Sequence, residues 1–256
     1  MQHLFTPEGE AALVAILRKR PLLAFDFDGT LAPIVARPDD ARISRRAAAR
    51  LGSLAARLPV AIVTGRAVED VRGRLGFVPR YVVGSHGAED GLDPAGAELL
   101  IRALDPLRDL LRDRAADLSA CGILVEDKGQ SVALHYRQAR SRSRALALIH
   151  DLLAHPSLSL HSFAGKMVVN FTGRAAPDKA HAVQALVARC GASCALFAGD
   201  DVNDEPVFVS APPDWLTVRV GRDDPASRAQ FFLESPVEMA LLLERMLTLV
   251  TRTDPI

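Results

Sequence analysis

The chain has 256 residues, with 31 basic and 31 acidic side chains and a formal net charge of zero. Hydrophobic residues make up 49% and charged residues 24%, which excludes a disordered tail, a collagen-like repeat and a bulk polybasic nucleic-acid binder. The length suits one large or two small domains with a buried core.

At the N-terminus, Thr6 before Pro7 reads as a helix N-cap with proline in the first turn. The apolar run Ala11 to Leu17 follows Glu8 and Glu10 and precedes Arg18, Lys19 and Arg20. A secretory signal has the opposite order. No run of apolar residues is long enough to span a bilayer. The expectation is a soluble, cytoplasmic protein with no membrane or nucleic-acid partner, a monomer or weak dimer. Three cysteines, Cys121, Cys190 and Cys194, form no CxxC pair and read as small buried hydrophobes.

Short apolar runs then alternate with helical patterns. LLAFD ends at Asp26, a helix is predicted over Ala41 to Arg57, and PVAIVT ends at Thr64. A helix over Val68 to Leu75 precedes YVVGS. After a long interruption come a helix over Lys179 to Cys190, CALFAGD ending at Asp200, and LTVRVG ending at Gly221. Runs apolar on both faces suit strands of a parallel sheet covered by helices. Ligands of such sheets sit at the carboxyl ends of the strands, so Asp26, Thr64 and Asp200 are expected to converge.

The interruption starts at GLDPAGA. A helix is predicted over Glu98 to Leu118, then strands GILVED and SVALHYR. A second helix, Ser143 to Leu153, precedes strands SLSLHSF and KMVVNF. Helix-strand-strand thus occurs twice, as expected for a small α+β domain with a four-stranded antiparallel sheet inserted into the first. The expected boundaries are 1–93 and 175–256 for the core and 94–174 for the insert.

AFDFDGTL carries the strongest chemical signal. Asp26 and Asp28 are two apart at a strand end, so both lie on one side. Carboxylates about 4 Å apart repel by about 4 kcal/mol at an effective dielectric near 20, and a divalent cation removes that penalty. Gly29 permits a sharp turn and close approach to a ligand. In GDDVNDE, Asp200, Asp201, Asp204 and Glu205 lie together without an intervening base and add to the cation demand. Oxygen ligands of this kind favour Mg²⁺. In VTGR, the Thr64 hydroxyl and the Gly65 amide can hold a phosphate oxygen. Lys179 lies in the first turn of its helix, where a cation opposes the dipole unless an anion is bound there.

Asp-x-Asp-Gly-Thr, Thr-Gly, Lys and Gly-Asp-Asp, in this order, resemble the haloacid dehalogenase superfamily of phosphotransferases. The resemblance implies a Rossmann-like α/β core with a parallel sheet plus an inserted α+β cap. It also implies that Asp26 is a nucleophile forming an aspartyl-phosphate, and Asp28 the general acid and then base. Thr64 and Lys179 would bind the phosphoryl group. Mg²⁺ would be held by the Asp26 carboxylate, the Asp28 carbonyl and Asp200, with Asp204 in support. DFDGTLAPI, TGR, GSHGAE, VEDKGQSVALHYR and GKMVVN further resemble the trehalose-phosphatase family. That likeness implies hydrolysis of trehalose 6-phosphate, with Glu126 and Lys128 on the sugar hydroxyls and Asn170 as a further contact; His135 and Arg137, two apart on the next strand, read either as further substrate contacts or as a structural pair. Arg66 would position the loop beside the phosphate, and His86 would shape the core loop. The sequence departs from the family at Asn170, where glutamate is usual, and at Ala180, where glycine is usual. The alternative is another sugar phosphate, such as sucrose 6-phosphate or a glucosylated glycerol or glycerate phosphate. A signalling receiver needs neither Asp28 nor an insert, and an inactive sensor would have lost a catalytic carboxylate.

Only Lys19, Lys128, Lys166 and Lys179 among the bases are lysines. Three of the four fall in these motifs, where a compact ammonium suits an anionic sugar.

Overall fold

The computed structural model describes every residue except 36, 91–93, 156–157, 166, 223 and 254–256. Lys166 and part of the GLDPAGA segment therefore lie outside the described residues. The chain divides into two compact units, Met1–Gly87 with Pro177–Ile256, and Ala88–Ala176.

In the first unit the strands are Gln2–His3 (β1), Leu22–Phe25 (β2), Val60–Val63 (β3) and Tyr81–Gly84 (β4). A short strand, Glu89–Asp90 (β5), belongs to the segment that follows Gly87, and strands β6–β9 belong to the second unit. Ala195–Gly199 (β10), Leu216–Val220 (β11) and Phe231–Leu233 (β12) complete the first unit's sheet. Among the described residues its order is β1-β12-β11-β10-β2-β3-β4, every pair parallel. All residues of β2, β3, β10 and β11 are buried, which is why these runs read as unbroken apolar stretches.

The helices around it are Pro7–Arg18 (α1), Arg45–Ala55 (α2) and Val68–Arg72 (α3), with α8–α10 named below. Thr6 caps α1 by accepting from the Gly9 amide at 3.3 Å. The second helix is shorter than the expected 41–57 because Ser44 caps it, accepting from the Ala47 amide at 3.2 Å. Its four buried residues, Ala47, Ala48, Leu51 and Leu54, repeat at helical spacing.

In the second unit the predicted single helix over 98–118 is three: Pro94–Ala103 (α4), Asp105–Asp113 (α5) and Ala115–Ala120 (α6). Pro106 lacks an amide to continue the ladder and restricts Asp105 before it, so the helix breaks there. Leu124–Asp127 (β6), Ser131–His135 (β7), Arg142–Leu153 (α7), Leu160–Gly165 (β8) and Val168–Gly173 (β9) follow. The sheet is antiparallel in the order β6-β7-β9-β8. Val132, Leu134, Val169 and Phe171 point to the helices and join Leu107, Leu118 and Ile149 in a separate core. The alternation places Ala133, His135, Asn170 and Thr172 on the other face, with Glu126 opposite Ala133.

The first unit closes with Lys179–Cys190 (α8), Glu205–Ser210 (α9) and Pro236–Thr253 (α10). Helix α8 starts at the Asp178 cap and stops at Gly191, whose φ of 73° forms a left-handed C-terminal turn. No helix among the described residues is long and apolar enough to cross a membrane.

Candidate active site

Strand order assembles the site. Strand β10 lies beside β2 with Ala198 opposite Phe25, and the Asp26 amide donates to the Ala198 carbonyl at 2.9 Å. Asp26 and Asp200 therefore leave neighbouring strands at the same end. On the other side β3 pairs with β2, Ile62 opposite Phe25, which brings up Thr64. Thr64 is fully buried, and its hydroxyl accepts the Arg66 amide at 3.2 Å.

Asp26, Asp200 and Asp204 are buried and each offers a carboxylate oxygen within 4.8 Å of the others. Lys179, 1% exposed, donates to Asp26 Oδ1 at 2.9 Å and to Asp204 Oδ1 at 2.7 Å. Burial pushes the Asp26 carboxyl well above the usual carboxylate range; Lys179 opposes that, and Asp204 and Asp200 reinforce it. Burial also works against the Lys179 ammonium, but Asp204 and Asp26 outweigh it and hold the lysine charged.

Three buried carboxylates thus face one buried ammonium. Fully ionised, they leave two negative charges in a site of low dielectric, which a divalent cation offsets. The all-oxygen donor set fits Mg²⁺ chemistry. Asp26 and Asp200 are the direct candidates. Asp204 has both oxygens engaged by the protein: Oδ1 by Lys179, and Oδ2 by the amides of Asp200 and Asp201 at 2.9 and 3.0 Å.

The other two acids of GDDVNDE do not join the cluster, which corrects the expectation for that run. Asp201 caps a turn of 3₁₀ helix over Val202–Asp204, accepting the Val202 amide at 2.9 Å. Glu205 pairs with buried Arg219 at 3.0 Å and accepts the Arg228 amide at 2.9 Å. These two bonds tie the acidic loop to β11 and to the segment after it.

Asp28 lies two residues beyond Asp26, its side chain 35% exposed. Arg66 grips it with a two-pronged fork, Nε to Oδ2 at 2.6 Å and a terminal nitrogen to Oδ1 at 2.7 Å. The same guanidinium reaches the Pro38 carbonyl and Asp70 and lies 5.3 Å from the Phe27 ring centre. The resemblance has Arg66 position the loop beside the phosphate; its guanidinium is directed at Asp28.

Two glycines are fixed by close approach. A Cβ on Gly29, whose φ is +84°, would stand 2.0 Å from Asp200 Oδ2. A Cβ on Gly65 would stand 2.3 Å from His86 Cε1. Gly29→Ala must displace Asp200 or the backbone turn. Expected is a weakening of Mg²⁺ binding by about tenfold or more, read in a metal titration of the purified protein. Unchanged Mg²⁺ binding would remove the Gly29–Asp200 contact from the argument.

Sequence reasoning gave His86 the shaping of the core loop, but not the left-handed conformation of the turn at Ser85, His86 and Gly87. All three have positive φ, 49°, 60° and 113°. The Ser85 amide donates to the Arg66 carbonyl and the His86 amide to the Thr64 carbonyl, both at 2.9 Å. A Cβ on Gly87 would stand 2.4 Å from the Asp178 carbonyl oxygen. The turn thus locks the Thr64–Arg66 strand end against the residue that caps Lys179's helix. The glycines were a signal; the left-handed serine and histidine were not.

The second unit, taken by itself, carries another polar group. Glu126 Oε2 lies 2.8 Å from His135 Nε2 and 3.5 Å from Lys128 Nζ. The His135 bond holds the Glu126 carboxyl below its ordinary value against burial, and Lys128 adds to this. Lys128 is largely buried, its side chain 11% exposed. Asn170 is buried at mid-strand, opposite Ala133 and Phe163.

The trehalose-phosphatase family profile matches residues 24–234. A trehalose-phosphate phosphatase of Mycobacterium ulcerans is 34% identical over 261 residues, covering 96% of this chain and 65% of its own length. The chain thus spans slightly less than two thirds of that curated relative. The C-terminal domain of the Candida albicans trehalose-6-phosphate phosphatase superposes with a TM-score of 0.76 at 20% identity, over 93% of this chain and 96% of its own. A trehalose-6-phosphate phosphatase related protein superposes with a TM-score of 0.75 at 24% identity, over 91% and 100%. At these identities the structures show a shared fold, an α/β unit with a parallel sheet and an α+β unit with an antiparallel one. With the family profile covering both strand-end motifs and the insert, and with a relative one third identical along nearly the whole chain, this protein belongs to the trehalose-phosphatase family.

Proposed function

We propose that the protein is a Mg²⁺-dependent phosphatase that releases inorganic phosphate from trehalose 6-phosphate. The observation that carries the reading is buried Asp26, held by Lys179 beside Asp200 and two residues from Asp28. An Asp26 oxygen attacks phosphorus, the bond from phosphorus to the sugar oxygen breaks, and its electron pair goes to that oxygen. Asp28 gives the departing oxygen a proton, and trehalose leaves an aspartyl-phosphate. Water then attacks phosphorus while Asp28 takes its proton. The bond to Asp26 breaks, phosphate leaves and the Asp26 carboxylate is restored. Lys179 and the Thr64 hydroxyl, with the Gly65 amide, hold the phosphoryl oxygens. Asp26, the Asp28 carbonyl and Asp200 would hold Mg²⁺, which would supply charge neutralisation for the phosphoryl oxygens.

The sugar contacts belong to the second unit in this reading. Glu126, Lys128 and His135 form one charged group, and Asn170 adds an uncharged amide on the same sheet. A site that hydrogen-bonds sugar hydroxyls rejects a sugar that leaves those groups unpaired. Lys128→Ala is expected to lower kcat/KM for trehalose 6-phosphate by about tenfold or more, and to change that for p-nitrophenyl phosphate by less than about twofold. Equal losses on both would remove the sugar-recognition role.

The deciding experiment measures phosphate release from trehalose 6-phosphate, sucrose 6-phosphate, glucosylglycerol phosphate, glucosylglycerate phosphate and glucose 6-phosphate, with Mg²⁺ and with EDTA. Trehalose 6-phosphate should give the highest kcat/KM, and EDTA should abolish turnover. A higher value for another sugar phosphate overturns the substrate assignment while leaving the phosphatase chemistry intact. Asn170 makes that comparison informative, because an uncharged amide recognises a hydroxyl without the strength of a carboxylate.

A further inference from the structure

Asp28 is held in a network that extends well away from the strand ends. Arg66 spends Nε and one terminal nitrogen on the Asp28 carboxylate, and the other terminal nitrogen on Asp70 Oδ2 at 2.8 Å. Asp70 presents its second oxygen to Arg74, whose Nε reaches Oδ1 at 2.9 Å. Arg74 in turn donates to the Asp39 carbonyl at 2.7 Å and to Asp39 Oδ1 at 3.1 Å, and reaches the Pro38 carbonyl, which Arg66 also bonds. Arg66 precedes the short helix α3, Asp70 lies within it and Arg74 follows it, and the bonds among their side chains bring the three together. Both arginine side chains are largely buried, 10% and 8% exposed.

The direction of this chain of contacts matters. An arginine with one anchor swings about a flexible stem, but one fixed at both ends presents its planar fork in a single orientation. Asp70 supplies the second anchor for Arg66, and Arg74 fixes Asp70. Burial raises the Asp70 carboxyl, but the bonds from Arg74 and Arg66 outweigh it and keep it ionised. A carboxylate serving as acid and base must sit within hydrogen-bond reach of the reacting oxygen, and a misplacement of about 1 Å can cost a hundredfold.

We propose that Asp70 and Arg74 are positioning residues that hold Asp28 for proton transfer through Arg66. The inference rests on the reading of Asp28 as the proton donor to the leaving sugar oxygen. A knot that merely secures the loop at 37–40 would lack one property: dependence on the leaving group. The value of kcat/KM covers steps up to departure of the leaving group, so hydrolysis of the phosphoenzyme does not enter it. A sugar oxygen needs a proton at departure and nitrophenolate does not.

The test uses Asp70→Asn and Arg74→Gln, each alone and combined with Asp28→Asn, assayed with Mg²⁺ on trehalose 6-phosphate and p-nitrophenyl phosphate. Each single change should lower kcat/KM for the sugar phosphate by about tenfold and that for the nitrophenyl ester by less than about twofold. On the Asp28→Asn background either change should add less than about twofold. Equal losses on both substrates, no loss, or an additive loss on that background would each overturn the proposal. If Asp28→Asn alone leaves sugar-phosphate turnover intact, the acid–base reading falls instead. If Asp28→Asn is costly and the outer variants are silent, only the positioning role falls. Circular dichroism checks folding. Should one variant fail to fold, the other carries the test; failure of both assigns the network to stability alone and overturns the proposal.

Discussion

Asp26→Asn is expected to abolish phosphate release, by about ten-thousandfold or more in kcat, and to make the metal-free protein more stable. The first effect follows from removing the proposed nucleophile, since the amide nitrogen of asparagine has no available lone pair and its oxygen is a far weaker attacker. The second follows from the buried cluster. Asp26 shares its site with Asp200 and Asp204, and burial opposes its charge. Asparagine is nearly isosteric, keeps an oxygen for Lys179 and carries no charge. A gain on the order of 1–3 kcal/mol is expected in EDTA. The pH dependence has a definite sign. The folded-state value of Asp26 is raised above 3.8, so over the window from there up to the raised value the folded protein binds more protons than the unfolded chain. Its stability therefore falls as pH rises across that window. The asparagine variant lacks this loss, so its advantage in melting temperature should be small near pH 4 and grow toward neutrality. Added Mg²⁺ should stabilise the wild type more than the variant. A thermal-shift series in EDTA at several pH values, then with Mg²⁺, checks each part. Retained turnover would sink the covalent mechanism; an advantage that shrinks with rising pH would remove the cluster's repulsion as its cause.

What could be read in the sequence was whatever depends on local pattern. Buried parallel strands are apolar on both faces, so their ends announce themselves as the first polar residues, Asp26, Thr64 and Asp200. Helix α8 was bounded correctly because Asp178 and Gly191 are a cap and a stop of known chemistry. The two helix-strand-strand units were visible in the same way. What escaped depends on which strands become neighbours. Asp70 and Arg74 show helical spacing in the sequence, but their bearing on Asp28 passes through Arg66, 38 residues from it. Glu205 looked like one more acid of a metal corner until β11 placed Arg219 beside it. The left-handed turn at Ser85 and His86 has little signal in residue type, because serine does not favour that conformation and histidine, though enriched there, adopts it only in a minority of cases; the bonds to Thr64 and Arg66 hold it.

Lys179→Met tests the opposite side of the same electrostatic balance. Lys179 is the buried cation between Asp26 and Asp204. Methionine fills much of its volume and leaves three buried carboxylates without their ammonium. Breaking a buried ion pair from one side costs about 3–5 kcal/mol, so the metal-free variant should melt about 10 °C lower. The folded-state value of Lys179 is raised above 10.5, so its contribution is fully present below that pH and is lost only as pH rises through the raised value. Lys179 itself therefore does not titrate near neutrality, but its loss raises the Asp26 carboxyl further, so the deficit should grow as pH rises through the range in which the buried carboxylates ionise. A divalent cation offsets the same negative charge that the lysine does. Mg²⁺ should therefore raise the melting temperature of the variant by more than it raises that of the wild type, recovering part of the deficit. Turnover should stay low even at saturating Mg²⁺, about a thousandfold below wild type, because in the proposed mechanism the ammonium also holds the phosphoryl oxygens and a cation bound elsewhere does not replace that donor. Melting curves with and without Mg²⁺ and phosphate release at saturating metal separate the two roles. A variant as stable as wild type in EDTA would show that the carboxylates are protonated rather than paired, and an equal Mg²⁺ increment in both proteins would show that metal and lysine do not share one charge balance.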